Sequence, residues 1–489
     1  MFRRNPKERA RGRRGRSIRV GLATAAVLLV VASGVWAGDP QRLLDSAAVD
    51  PALPGTLLPV LTVSNRSIAT LAPGFWGADI TAYYALGATQ AGYLNQTPLN
   101  YVRWPGGGPG DQYNFTANRI YSLGGAYYSP PAGLAQFATW CQSVGCRAIV
   151  ELPAEIDEPA TAAYYVNYTE STLHFHPAYW EIGNEPALWA HFGIPWAKWN
   201  ATQHLNATPG SYAQVVQAYT AAIHAVDPSA RIVGLPGVGT GGYNEDVWVR
   251  ATVALNGPNI SAVAIHVYPA GGTIGRGSVS VAGFFGTLGD PSSLAVRVPS
   301  DRAAISAACP TCRGIQLFIT EMGSTTTGSP YAKYSGSANV VPYLAAEIAQ
   351  AMLNSVDNVD LFAFQATYNG SLLNDTAVPS KLFTVYRTML TELQPSILNF
   401  SLSSQPLHFL VVPARDATGH TFSLFVVNAN ASYTGQLDLR HSGFPLLGPG
   451  TAWSWDITSP TPSSVSWLVT APAVWTVPPR GILVLSIAP

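Results

Sequence analysis

Two glutamates occupy the same kind of position in this chain. Tyr179-Trp180-Glu181-Ile182-Gly183-Asn184-Glu185-Pro186 reads as a buried strand that stops at an Asn-Glu pair. Ile315-Gln316-Leu317-Phe318-Ile319-Thr320-Glu321-Met322-Gly323 is a second apolar, β-branched run that ends in Glu and then Gly. A carboxylate at the C-terminal end of a parallel barrel strand is placed for chemistry. A turn carboxylate that caps the next helix is the competing reading of either one. Pro186 lacks an amide hydrogen and biases Glu185 toward extended backbone, which keeps the strand from running on into a helix through the pair. Two such carboxylates across one barrel mouth suit cleavage of a glycosidic bond, in which one protonates the leaving oxygen while the other attacks the anomeric carbon or activates water.

Only a particular scaffold brings two distant strand ends together. Eight short apolar runs qualify as strands: Phe75–Ile80, Leu99–Trp104, Arg147–Leu152, Tyr179–Asn184, Arg231–Leu235, Ser261–Val267, Ile315–Thr320 and Val359–Phe364. They alternate with helical patterns such as Leu134–Ser143, Tyr212–Val226, Val340–Leu353 and Lys381–Leu393. That alternation predicts parallel βα units, and eight of them make an α/β fold of the (β/α)8 barrel type over residues 73–394. After about Pro395 short alternating runs separated by Gly, Pro, Ser and Asn predict an all-β sandwich over residues 395–489. Val60–Val63 and Ser67–Thr70, within residues 59–72, alternate like strands as well.

The octapeptide around Glu185 resembles the acid/base motif of retaining glycoside hydrolases of clan A, with wording most similar to the heparanases and β-glucuronidases of glycoside hydrolase family 79. The resemblance implies that Glu185, after strand four, is the acid/base and that Glu321, after strand seven, is the nucleophile. It further implies that Asn184 bonds the sugar 2-hydroxyl and that strands 60–70 join the C-terminal sandwich. The loop Arg103-Trp104-Pro105-Gly106-Gly107-Gly108-Pro109-Gly110-Asp111 is similar to a family loop in which Arg103 would lie beneath the nucleophile and Asp111 would hold outer hydroxyls. His266 and Tyr268 share one face of strand six and, by the resemblance, enter the site. Tyr334-Ser335-Gly336-Ser337-Ala338 resembles a segment whose amides receive a uronic-acid carboxylate, which makes Tyr334 and Gly336 candidate substrate contacts. Gln365, after strand eight, and Glu151 and Glu155, after strand three, are further candidates.

Composition bounds the remaining possibilities. With 489 residues, 47% hydrophobic, 13 Trp and 22 Tyr, the chain can bury a large core and still line a groove with rings. Nine of the 27 Lys and Arg lie between Arg3 and Arg19, where Glu8 is the only acid, so the remaining 18 bases and 26 acids leave the body at −8. Such a body is no nucleic-acid binder. Residues 1–37 combine this basic arm with the uncharged run Val20–Trp36 and read as a signal peptide or membrane anchor; residues 38–58 read as a linker. Any membrane contact would be through that N-terminal segment alone, with the body exported to the exterior or the cell surface. Eleven Asn-x-Ser/Thr acceptors agree with export. The cysteines fall in two local pairs, Cys141/Cys146 and Cys309/Cys312, which in an exported chain favour two disulfides over a zinc site.

The expected activity is retaining hydrolysis of β-glucuronides or a related glycan by double displacement, which requires neither metal nor cofactor; the partner is a carbohydrate. The alternatives are a clan A hydrolase of neutral xylosides, arabinosides or glucosides, a non-catalytic glycan-binding surface protein on the same scaffold, and a structural cell-envelope protein.

Overall fold

A computed structural model of the protein describes residues 59–488 apart from 122–126, 190–206, 238–244, 272–279, 327–328, 330, 336, 368–369, 405–407, 431–433, 443–447, 458–462 and 470–472. The basic arm, the apolar run and the linker lie outside the described residues. Among the described residues no helix is long and apolar enough to cross a membrane.

Eight parallel strands close into a barrel in sequence order. Barrel strands one to eight are Trp76–Asp79, Tyr101–Trp104, Ala148–Leu152, Tyr179–Ile182, Ile232–Pro236, Ala262–Val267, Gln316–Met322 and Asn358–Leu361, respectively. Nearly every residue in them is buried, because one face meets the outer helices and the other fills the barrel. Parallel strands covered on both faces read as continuous apolar runs, which is why the count is legible in the sequence.

The barrel interior is layered. Tyr101, Ile149, Tyr179, Val233, Ala262, Ala264 and Phe318 form an apolar plug, with the Tyr179 ring edge-on to Phe318 at 5.0 Å and to Tyr101 at 5.6 Å. A strand's period of two places the residue two positions on in the next layer toward the C-terminal mouth. That residue is Arg103 after Tyr101, Glu151 after Ile149, Glu181 after Tyr179 and His266 after Ala264. All four are buried, so the second layer is ionisable where the first is apolar. Register sets the neighbours: Asp79 pairs with Arg103, Glu151 with Glu181, and His266 with Glu321. The last pairing follows a register shift between Ile265 and His266, an irregularity of the kind that re-aims side chains near active sites.

The remaining strands form a nine-stranded, mostly antiparallel sheet that folds as the β-sandwich. Val60–Thr70 pairs antiparallel with Ser396–Leu402 and parallel with Gly435–Ser442. The two short strands expected here are one strand, because irregularities after Val63 and Ser67 absorb the break in alternation without ending the pairing. The sequence pattern does not mark Ser396–Leu402, Gly448–Trp455 or Ala473–Val477, whose Ser, Asn, Gly, Thr and Trp positions blur the apolar period. Nor does it mark the small sheet of Tyr113–Asn114, Arg119–Tyr121 and Tyr127–Tyr128 inserted after strand two.

Helix Val340–Leu353 packs on sandwich strands Phe409–Arg415 and Phe422–Asn428 and is buried on nearly every face, as a helix between a barrel and a sheet must be. Val412, Phe425 and Val484 of the sheet share one apolar core with the barrel helices. Disulfides join Cys141 to Cys146 and Cys309 to Cys312, each just before a barrel strand.

Candidate active site

Glu185 stands in the turn after strand four, and its backbone is not extended. At φ 40° and ψ 60° it occupies the left-handed region, between Gly183 at φ 73° and a 3₁₀ turn over Pro186–Leu188. A non-glycine residue there costs about 1–2 kcal/mol. The Glu185 amide donates to the Pro236 carbonyl at 3.1 Å and its carbonyl accepts from the Leu188 amide at 2.8 Å, so these bonds override the bias imposed by Pro186. Gly183 is needed beneath it, since a Cβ there would come within 3.0 Å of Trp189 and 3.1 Å of both Ala154 and Asp111. Glu321 lies within strand seven, one residue from its end. One ligand oxygen from Glu185, one from Glu321 and a ring nitrogen of His266 all lie within 4.8 Å of one another.

The two carboxyls have different surroundings. Glu321 Oε1 accepts from Arg103 Nη1 at 2.9 Å and Oε2 accepts from the Tyr268 hydroxyl at 2.7 Å, the arrangement of a charged carboxylate. Glu185 Oε1 is 3.0 Å from His266 Nδ1. Burial pushes the Glu185 carboxyl up to about 7, against the opposing charges of Arg103 and Arg297. Burial holds the His266 imidazole down at about 3, with Glu321 pulling it up and Arg103 and Arg297 pushing it further down. His266 is therefore neutral, and with Nδ1 facing Glu185 at 3.0 Å and Glu321 at 3.6 Å its proton belongs on Nδ1.

Arg103 is fully buried at the centre of an acidic cradle. Its guanidinium contacts Glu181, Asp79 at 3.2 Å, Glu151 at 3.2 Å and Glu321 at 2.9 Å, and donates to Asn184 Oδ1 at 2.8 Å. One cation cannot neutralise four buried acids. Burial raises Asp79, Glu151 and Glu181 against the pull of Arg103, so part of the cradle holds protons. Gly106 and Gly110 let the loop lie on this cradle, since a Cβ would come within 2.5 Å of Asp79 and 2.2 Å of Glu151, respectively. No sequence motif marks Asp79 or Glu181. The available signal was an acid at the inward-facing position of an otherwise apolar strand.

Several expected substrate contacts are occupied elsewhere. Asp111 is 1% exposed and accepts from the Asn184 amide at 2.7 Å, the Trp189 indole at 2.7 Å and the Glu155 amide at 3.3 Å. It braces the turn that carries the Asn184–Glu185 pair and cannot also hold a sugar. Gln365 accepts from Gln90 Nε2 and donates to the Asp375 carbonyl, both at 3.1 Å, so its amide is consumed in tying loops together. The Tyr334 ring packs 5.5 Å from Phe284, its amide donates to the Tyr331 carbonyl at 2.8 Å, and the Ser337 amide donates back to the Tyr334 carbonyl at 3.0 Å. Those two amides are thus unavailable to a carboxylate; Gly336 lies outside the described residues. Asn184, Arg103, His266 and Tyr268 do converge on the carboxylate pair. So does Arg297, from helix Leu294–Ala308, which bonds the His266 carbonyl at 2.5 Å and pairs with Glu245. No local motif marks it.

Glu185, His266 and Glu321 could also serve as ligands to a divalent cation. Arg103 and the Tyr268 hydroxyl already hold both Glu321 oxygens, and a fixed guanidinium 2.9 Å away repels a second cation.

No protein-family model and no curated protein matches the chain. Solved structures do. An α-L-arabinofuranosidase from Thermotoga maritima in its arabinose complex superposes with a TM-score of 0.69 at 13% identity over 88% of this chain and 100% of that one. The GH51 arabinofuranosidase from Xanthomonas axonopodis pv. citri gives 0.71 at 15% over 88% and 99%. A Paenibacillus polymyxa xyloglucanase from GH family 44, with xyloglucan, gives 0.67 at 12% over 88% and 100%. The barrel-and-sandwich fold is shared with these glycosidases.

Proposed function

We propose that the chain is a retaining O-glycosidase. One observation carries the reading: at the C-terminal ends of strands four and seven, oxygens of Glu185 and Glu321 lie within 4.8 Å of each other. Retaining enzymes hold their carboxyls about 5–5.5 Å apart, whereas inverting ones leave about 6.5–9.5 Å for a water molecule. Glu185 enters the cycle protonated and gives its proton to the departing glycosidic oxygen while Glu321 attacks the anomeric carbon, forming a glycosyl ester. Glu185, now a carboxylate, takes one proton from a water molecule as the water oxygen attacks the same carbon and expels Glu321 as a carboxylate, which restores both glutamates to their starting states. His266 donates through Nδ1 to one Glu185 oxygen and leaves the other for the proton being moved. Being neutral, it does not compete for that proton. Asn184, with its oxygen held by Arg103, offers its amide nitrogen to the sugar.

The paired arginines favour a neutral sugar. Arg103 is held by Asp79, Glu151, Glu181 and Glu321, and Arg297 by Glu245. Neither is free to receive a uronate carboxylate. The fold likeness to arabinofuranosidases and a xyloglucanase supports the same choice. The β-glucuronide reading keeps the wording of the Trp180–Pro186 motif in its favour. The deciding experiment is a 4-nitrophenyl glycoside panel covering α-L-arabinofuranoside, β-D-xyloside, β-D-glucoside and β-D-glucuronide, with product anomers followed by NMR. Turnover of a neutral member with retention is expected. Turnover of the glucuronide alone would reverse the substrate choice, and inversion would remove the mechanism. Export also belongs to this proposal: Asn65, Asn95, Asn167, Asn259 and Asn374 are exposed acceptors and Asn114, Asn399 and Asn430 are half-buried, so every described acceptor reaches solvent.

A further inference from the structure

A second feature sits on the catalytic face, in a groove of about 480 Å³ between the insertion after strand two and the helix Pro159–Asn167 after strand three. Its polar lining is Asn114, Thr116 and Thr161, and its aromatic lining is Tyr164 and Tyr165; among the described residues no charged side chain lines it. Tyr165 forms the floor: it is 1% exposed, its ring lies 4.5 Å from Phe115, and its hydroxyl donates to Asp157 at 3.0 Å. Tyr164 is the opposite case. It is 54% exposed, and Tyr168, one helical turn on, holds its ring nearly parallel at 15° with centroids 6.2 Å apart. A large ring presented to solvent beside hydroxyl and amide groups, with a second ring fixing its orientation, matches the two-sided chemistry of a sugar, which has apolar C–H faces and a polar rim.

We infer that this groove is a distal subsite that binds a neutral sugar ring of a glycan chain whose scissile bond lies at Glu185 and Glu321. Both walls rise from the C-terminal ends of neighbouring barrel strands, the same face that carries Glu185. The wall after strand two is continuous with the loop in which Asp111 braces Asn184. To fill both sites, a glycan seated on the carboxylate pair must run across strands three and two to Tyr164. The absence of charge in the lining selects neutral rings. The inference rests on the glycosidase reading for the course of the chain, not for binding itself. Asn114 is also a glycosylation acceptor, so the competing occupant is the protein's own N-linked glycan.

The test uses the full chain and its Tyr164→Ala and Tyr164→Phe variants. Binding is read as retardation in native gels cast with arabinoxylan, xyloglucan or mixed-linkage β-glucan, a measurement that needs no turnover; kcat/KM is read on a polymer and on the best aryl monosaccharide glycoside. Tyr164→Ala is expected to weaken retention and polymer kcat/KM about tenfold, leaving the aryl glycoside within twofold, and Tyr164→Phe is expected to restore both. Equal loss on the aryl glycoside would show a structural effect and overturn the subsite, as would unchanged retention in Tyr164→Ala or no retention of the parent on any polymer. Retention that appears only in Asn114→Gln would assign the groove to the chain's own glycan and likewise overturn it. Retention that depends on Tyr164 in a chain that cleaves no glycoside would sustain the groove while removing the catalytic reading.

Discussion

If Glu185 is the proton donor, its environment predicts where activity fails on the alkaline side. Burial lifts its carboxyl from an ordinary 4.5 to about 7. At pH 6 a group with pKa 7 is about 90% protonated, and one with pKa 4.5 about 3%, so burial is worth about 30-fold in competent enzyme. Above pH 7 that fraction falls tenfold per unit, so kcat/KM on a poor leaving group should show an alkaline limb near 7. Replacing Glu185 with Ala should lower kcat on such a substrate by about 10²–10⁴ and flatten the limb. A dinitrophenyl glycoside, whose departing phenolate needs no proton, should still form the glycosyl ester in the variant. Azide should then release a glycosyl azide of retained configuration. The measurements are initial rates from pH 4 to 9 for the parent and Glu185→Ala with both leaving groups, and product stereochemistry by NMR. If Glu185→Ala loses both substrates equally, or keeps the alkaline limb near 7, the proton donor is another group.

The other predictions concern the partners of that glutamate. Glu321→Gly should abolish hydrolysis of every glycoside, and azide should restore turnover with inverted product; azide products of one configuration from both glutamate variants would refute the division of roles. Arg297→Gln removes a charge that holds Glu185 down, so the alkaline limb should move above 7, while the buried Glu245 left without its partner costs about 3 kcal/mol of stability, readable as a lower Tm. Gly237 lies at φ 67°, where a Cβ would come within 2.4 Å of the His266 ring, so Gly237→Ala should lower both kcat and Tm, with a backbone cost of about 1–2 kcal/mol. Burial raises Asp111 to about 7, Asp301 and Glu347 to about 8 and Glu155 to about 10. The folded state therefore binds more protons than the unfolded chain above pH 4.5, and stability should decline as pH rises from 5 to 8, opposed below 6.5 by the depressed His266 and His408. A Tm that climbs over that interval would contradict it.

The barrel was legible because burial on both faces writes each strand as an unbroken apolar run, and the proposed catalytic pair because its acids end two such runs. What stayed hidden has a common cause. Asp79 and Glu181 act through register across neighbouring strands, and Arg297 reaches the site through a backbone carbonyl; neither relation has a local signature. Asp111 was misplaced because an aspartate in a Gly-rich loop looks the same whether it meets a sugar or three backbone and indole donors. The left-handed backbone of Glu185 went against the rule for residues before proline, since the bond to strand five that decides it lies some fifty residues away.

The layout also accounts for the opposite duties proposed for two glutamates within 4.8 Å of each other. Two buried carboxylates that close would ordinarily share a proton, with neither assigned a role. Arg103 breaks the tie by proximity: it bonds Glu321 directly, whereas Glu185 feels its charge without a bond, and burial outweighs that pull. The neutral His266 fills the space between the acids and adds no charge that would favour ionising Glu185. Its neutrality depends in turn on burial and on the nearby charges of Arg103 and Arg297. The arginine bonded to Glu321 thus also helps keep the imidazole uncharged, and burial, which outweighs both arginines, leaves the proton with Glu185.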